Sequence, residues 1–205
     1  MNQLRPQTRI QRKNVSTILD AALVVFSQAG FRGATLDQIA LEAGLSKPNL
    51  LYYFPSKEAI HTELLSGLMD VWLAPLRVID EHGEPVEEIV NYVLRKLEMA
   101  RELPRESRLF ANEIIQGAPR IIDQIEGELR ELVDEKSAVI QGWIDGGNIA
   151  ALDPKHLLFS IWATTQHYAD FDVQVRGILQ PNSNEHFSDA AVFLAQFYRR
   201  ALSVG

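Results

Sequence analysis

The sequence predicts an all-α protein of about nine helices, a small basic head followed by a larger acidic bundle. Three observations carry this. Apolar residues recur at helical spacing along nearly the whole chain, and no segment alternates as a half-buried strand would. Turn chemistry ("ELPRE", "QGAPR", "DGGN", "QPNSN") separates the periodic segments. Charge is also split: residues 1–57 carry seven Lys/Arg and three Asp/Glu, net +4, whereas the remainder carries 13 and 24, net −11. A basic head on an acidic body suits a head that meets a polyanion and a body that stays clear of it.

The first helix is expected over about 12–29, with Ile18, Leu19, Ala22, Val25 and Phe26 on one face and Gly30 at its end. The second starts after Thr35, where "TLDQ" reads as a capping box, and stops at Gly44. Ser46 caps a short third helix, "KPNLLYYF", whose Pro48 is harmless in the first turn because its missing N–H has no helical partner there. Ser56 caps a fourth helix reaching Trp72 or slightly beyond, with Glu58 in its electropositive first turn. Longer helices follow at about 86–101, 105–116, 121–145, 154–173 and 188–202, the 154–173 segment opening on Asp153 as cap and Pro154 at the first helical position.

Two short helices joined at Gly44, with small Ala40 where their axes cross, match a helix-turn-helix. Ile39, Leu45 and Leu50 face inward in this reading. Ser46, Lys47, Pro48, Asn49 and Tyr52 are left on the outer face of the short helix, near the end that enters a major groove. Lys47 and Lys57 bracket that helix and are expected to neutralise phosphates, as are the first amides of the fourth helix. Of the adjacent Tyr52 and Tyr53, one is expected to pack inward, because neighbouring helical residues point about 100° apart. The arginines of the leader are expected to favour contact with DNA.

The segment "GFRGATLDQIALEAGLSKPNLLYYFPSKEAI" resembles the DNA-binding head of the TetR family of bacterial transcriptional regulators, the match lying in residues 35–57. That resemblance implies a cytoplasmic all-α homodimer, with a DNA-binding domain at 1–57 and a ligand-binding and dimerisation domain at 58–205. It places DNA contacts at Thr35, Ser46, Lys47, Pro48, Asn49, Tyr52, Tyr53 and Lys57. The body segments "MDVWLAPL", "RLFANEIIQGAP", "DEKSAVIQGWI" and "IWATTQHYADF" are similar to the pyrimidine-utilisation regulators of that family. Their likeness implies a repressor that leaves its operator when uracil or thymine binds.

A flat base asks for an aromatic surface and an amide to pair with its N–H and C=O edge. Trp162 and Gln166 lie four apart on one helical face with Thr165 adjacent, and Trp72 comes from the fourth helix. The resemblance makes Trp72, Trp162 and Gln166 ligand contacts, with Leu73, Phe110 and Thr165 beside them. Ala111 and Asn112 depart from the sulfur-bearing pair of those regulators, which bears on the pocket wall. The last two helices, through Leu157, Leu158, Ile161, Ala190, Phe193, Leu194 and Phe197, are the expected dimer interface. A dimer would set two reading helices about 34–36 Å apart and call for a near-palindromic operator.

Two alternatives stand beside this reading: a DNA-bound scaffold whose body docks a protein, and a repressor with a different small-molecule effector. No cofactor and no membrane partner is expected. The chain lacks cysteine, so it has neither disulfide nor thiolate. His156 and His167 are eleven residues apart, about 16 Å along a helix, too far to share a metal ion. His61, His82 and His186 show no ligand spacing, and no nucleophile elbow or phosphate-cradling loop is present, so enzymatic activity is not expected.

Overall fold

The computed structural model describes residues 9–204. The leader before Arg9, with Arg5, lies outside the described residues. Within them the secondary structure is helical throughout: α1 (Arg9–Gly33), α2 (Leu36–Glu42), α3 (Lys47–Tyr53), α4 (Lys57–Arg77), α5 (Pro85–Glu102), α6 (Pro104–Ile115), α7 (Ile122–Gln124), a π-helical turn (Ile125–Leu129), α8 (Arg130–Asp145), α9 (Pro154–Asp170), α10 (Asp172–Leu179) and α11 (Glu185–Leu202). Two compact units divide at Leu68/Met69, inside α4.

The first unit is built on local signals that the sequence states openly. Thr35 Oγ1 accepts from Gln38 N at 3.2 Å and Gln38 Oε1 accepts from Thr35 N at 2.9 Å, closing the capping box. Gly44 takes φ 66°, and Leu45 N returns to Ala40 O at 2.9 Å, which turns the chain sharply into α3. Gly30 (φ 67°, ψ 171°) breaks α1, and one further turn follows it. Ile18, Ala22 and Phe26 of α1 close on Ile39, Ala40 and Leu50, all buried, while Leu45 is half-buried. By length and composition alone, α1 is long and apolar enough to cross a membrane. Its apolar side is nonetheless consumed by the three-helix core.

The second unit is organised around α5, packed between α9 and α11. Ile89, Val90, Val93 and Leu97 of α5 meet Leu158 and Ile161 of α9 and Leu194, Tyr198 and Leu202 of α11 in one buried core. From α8, Lys136 Nζ donates to Ile79 O at 3.2 Å and Trp143 Nε1 to Glu81 O at 3.1 Å, fixing the turn between α4 and α5.

Three departures from the periodic reading have identifiable causes. α4 runs through Pro75 to Arg77, because packing of Leu73 and Leu76 outweighs the one lost helical hydrogen bond. The helix expected over 154–173 breaks at Phe171 (φ −113°, ψ 28°), and a separate α10 follows; its Val173, Ile178 and Leu179 are exposed, so no clean apolar stripe announces it. The segment expected as one helix over 121–145 contains the π turn.

Candidate nucleic-acid interface and ligand cavity

The outer face of α3 displays Ser46, Lys47, Pro48, Asn49 and Tyr52, all exposed, and Thr35 is exposed at the start of α2. Ser46 Oγ caps α3 by accepting from Asn49 N at 3.3 Å, and Pro48 sits in the first turn. Tyr52 is 71% exposed. Tyr53 turns inward: its hydroxyl accepts from Asn14 Nδ2 at 2.7 Å, and its ring meets Tyr52 edge-on at 5.1 Å. Tyr53 therefore braces α3 against α1 and steadies the ring that faces outward.

The two lysines are placed differently from one another and from expectation. Lys47 Nζ is paired with Asp37 of α2 at 2.9 Å, an exposed contact that a phosphate can displace. Lys57 Nζ donates to Phe31 O at 2.7 Å and Ala34 O at 2.8 Å and lies 4.5 Å from the centre of the Phe31 ring. The Phe31 carbonyl belongs to the last turn of α1 and the Ala34 carbonyl to the link into α2, so the ammonium acts as a cap between elements. Lys57 thus spends two of its three ammonium N–H groups on the protein's own carbonyls, a structural use that its reading as a phosphate contact did not foresee. Asp37 had no place in the sequence reading, although its position in the first turn of α2 beside the reading helix was available.

In the second unit a cavity of about 440 Å³ opens among four helices and the π turn. α4 supplies Met69, Trp72 and Leu73; α6 supplies Phe110, Ala111, Ile114 and Ile115; the π turn supplies Ile125 and Leu129. α9 adds Trp162, Gln166 and Asp170, and α5 adds Lys96. The expected Trp72, Leu73, Phe110, Trp162 and Gln166 thus share one cavity, and Ala111 stands in its wall while Asn112 does not. Thr165 is a correction: it is fully buried, and its hydroxyl donates to Ile161 O at 2.7 Å, the usual use of a helical threonine.

Polar groups inside this apolar enclosure are few and placed. Trp162 Nε1 donates to Tyr92 Oη at 2.7 Å, which fixes the indole, and burial raises the Tyr92 pKa, so the phenol stays protonated. The Gln166 amide makes no hydrogen bond among the described residues, leaving a donor and an acceptor for a guest. Lys96 is 3% exposed; its ammonium is 3.5 Å from Trp72 O and 5.4 Å from the Trp72 ring centre. Burial lowers its pKa to about 7, against a smaller opposing pull from Asp170. Burial raises the pKa of Asp170, while a 2.6 Å hydrogen bond from Ser107 Oγ holds part of that rise back. Lys96 and Asp170 were not anticipated. The signal for Lys96 was present, since it occupies a core position of the stripe Ile89, Val93, Lys96, Leu97, Ala100.

A larger and shallower groove of about 550 Å³ lies between α4 and α5, lined by Val71, Pro75, Val78, Tyr92 and Met99. Its polar lining is Glu88, Asn91, Tyr92 and Arg95, and none of the residues expected at the ligand site stands in it. Among the described residues no group of three or more His, Asp or Glu is arranged to hold a metal ion.

The apolar positions expected at a dimer interface divide in two. Leu157, Leu158, Ile161, Ala190 and Leu194 are spent in the core of the second unit. Phe193 and Phe197 of α11 are exposed with Val192, and Phe159 of α9 is exposed as well, so these are left uncovered.

Comparison with known proteins agrees with this architecture. Residues 18–64 match the model of bacterial regulatory proteins of the tetR family, and residues 65–204 match that of the YcdC-like protein C-terminal region. The HTH-type transcriptional regulator RutR of Escherichia coli (strain K12) is 53% identical over 161 residues, 78% of this chain and 76% of that one. The HTH-type transcriptional repressor KstR2 of Mycobacterium tuberculosis (strain H37Rv) is 32% identical over 82 residues, 40% of this chain and 41% of that one. A TetR-like transcriptional regulator from Rhodococcus sp. RHA1 superposes with a TM-score of 0.68 at 19% identity, covering 96% of this chain and 97% of its own. The helix-turn-helix head, the helical body and both family matches lead to one conclusion: the chain belongs to the TetR family of DNA-binding bacterial transcriptional regulators.

Proposed function

We propose that this regulator is a cytoplasmic homodimeric repressor that grips a near-palindromic operator and lets go when a small planar molecule, uracil or thymine, fills the cavity. The observation that carries the proposal is the meeting of Trp72 of α4 with Trp162 and Gln166 of α9 around one cavity. Two indoles offer faces for a flat ring, and Gln166, Lys96 and Asp170 offer donors and an acceptor for its C=O and N–H edge. The likeness of the body segments to pyrimidine-utilisation regulators supports that choice of ring. DNA contacts are assigned to Thr35, Ser46, Lys47, Pro48, Asn49 and Tyr52, with Tyr53 as their brace. Dimerisation is assigned to the uncovered Phe159, Val192, Phe193 and Phe197.

The cavity also counts against a protein-docking scaffold with a closed bundle interior. The test is a titration of a DNA duplex, selected by the protein from a random pool, with and without uracil and thymine. Release by either base is the expected result. Equal DNA affinity in their presence and absence would remove pyrimidines as effectors and leave the other-effector alternative.

A further inference from the structure

We infer that Arg77 and Glu128 form a strut tying the last turn of α4 to the π-helical wall of the cavity, so that filling the cavity is felt along α4. Its biological use rests on the effector-release reading above; its mechanics rest on contacts within residues 69–205.

Four observations converge. Pro75 has no N–H, so the Val71 carbonyl loses its helical donor, and α4 is weakest one step past Trp72 and Leu73, its two main cavity residues. Arg77 spans this weak point: its guanidinium donates to Asp70 O and to Asp70 Oδ1, each at 3.2 Å, one turn before the proline. The same guanidinium donates to Glu128 Oε1 at 2.5 Å. Glu128 belongs to the π turn, whose Ile125 and Leu129 line the cavity while Glu128 faces solvent.

A π turn is a poorly bonded insertion in an α-helix and tends to occur where function needs a movable register. Its neighbours leave it as the part of the wall that can give. The preceding corner is pinned, because buried Glu113 accepts from Arg120 N at 3.0 Å and from its guanidinium at 2.8 Å, and Gly117 and Ala118 hold φ 89° and 52°. A guest that presses on Ile125 and Leu129 therefore shifts the π turn, and the strut carries that shift across the proline. Because Arg77 and Glu128 are both substantially exposed, the pair adds little to folding, and its role is positioning.

The test uses the full-length dimer, the selected duplex and uracil, comparing the unaltered protein with Arg77→Gln, Glu128→Gln and the charge-keeping Glu128→Asp. The Gln variants are expected to bind uracil within about threefold of the unaltered protein, since neither residue lines the cavity. The change in DNA affinity caused by uracil is expected to shrink by about tenfold in both, and to be largely kept in Glu128→Asp. An undiminished response in the Gln variants overturns the strut. Hydrogen exchange of the amides at 72–77 without ligand supplies a second readout, expected to be about tenfold faster in Glu128→Gln. If DNA affinity of the unaltered protein ignores uracil and thymine, the effector reading falls, and the exchange result alone decides the strut: unchanged exchange overturns it, faster exchange upholds it.

Discussion

Lys47 of the head and Lys96 of the body sit in opposite environments. In the head, Lys47 stands in water against Asp37, and Lys57 caps the end of α1 with two carbonyls. In the body, Lys96 is shut inside an apolar cavity whose surroundings push its ammonium towards neutrality. A solvated charge is available to a polyanion and is worth little to folding, whereas a buried one costs the fold its hydration. The contrast sets a solvated ammonium on the outer face of α3 against one held in an apolar interior.

The largest expected effect tests whether the head's display depends on its small core. Leu50→Ala, at the fully buried base of α3, should cost about 2–5 kcal/mol in urea unfolding, enough to disorder the reading helix at 37 °C. Unaltered head stability would mean that α3 is held by its caps alone.

The buried lysine gives the next effect. The folded-state pKa of Lys96, about 7, lies below the usual lysine value, so the unfolded chain binds the extra proton between these two pH values. Stability should therefore climb as pH rises from about 7 towards about 10, by at most about 1.4 kcal/mol per unit. Lys96→Met should remove that slope and be the more stable protein at pH 7. Parallel pH profiles for the two proteins would place the ammonium in water and dissolve the contrast with Lys47.

Gln166→Leu sharpens the comparison from the ligand side. It should weaken uracil binding by about 1–3 kcal/mol while leaving operator affinity unaltered, as read by calorimetry and DNA titration. Full uracil response in this variant would move the ligand elsewhere.

The smallest effect distinguishes the two head lysines. Lys47→Gln should weaken binding to every DNA sequence and lower the slope of log affinity against log salt by about 1. Lys57→Gln should leave that slope alone and instead destabilise the head by about 1–3 kcal/mol, because two carbonyls lose their donor. A changed salt slope in Lys57→Gln would restore it to the phosphate contacts.

The head was almost wholly legible because its decisive interactions are local. Thr35 and Gln38, Ser46 and Asn49, and the positive φ of Gly44 act within a few residues, so spacing alone locates them. The fate of Lys57 was not legible, since its partners Phe31 and Ala34 are 26 and 23 residues away. In the body, the helical stripe of α9 grouped Trp162 with Gln166 correctly, yet the same stripe suggested Thr165, whose hydroxyl is taken by its own helix. The π turn and α10 escaped because each changes register or exposure without a Gly or Pro to mark the change at its start.

What the sequence determined by itself was the helical class, the caps and turns, the basic head and the residues presented by α3, because propensity, capping and periodicity act over one or two turns of chain. Tertiary structure alone decided that Lys96 and Asp170 face one cavity with Trp72 and Trp162, that Lys57 is a cap, and that Leu158 and Leu194 are core while Phe193 and Phe197 are left uncovered. Burial and proximity between helices far apart in the chain set these outcomes. No short-range pattern encodes them, since the same apolar or charged residue suits several environments until packing selects one.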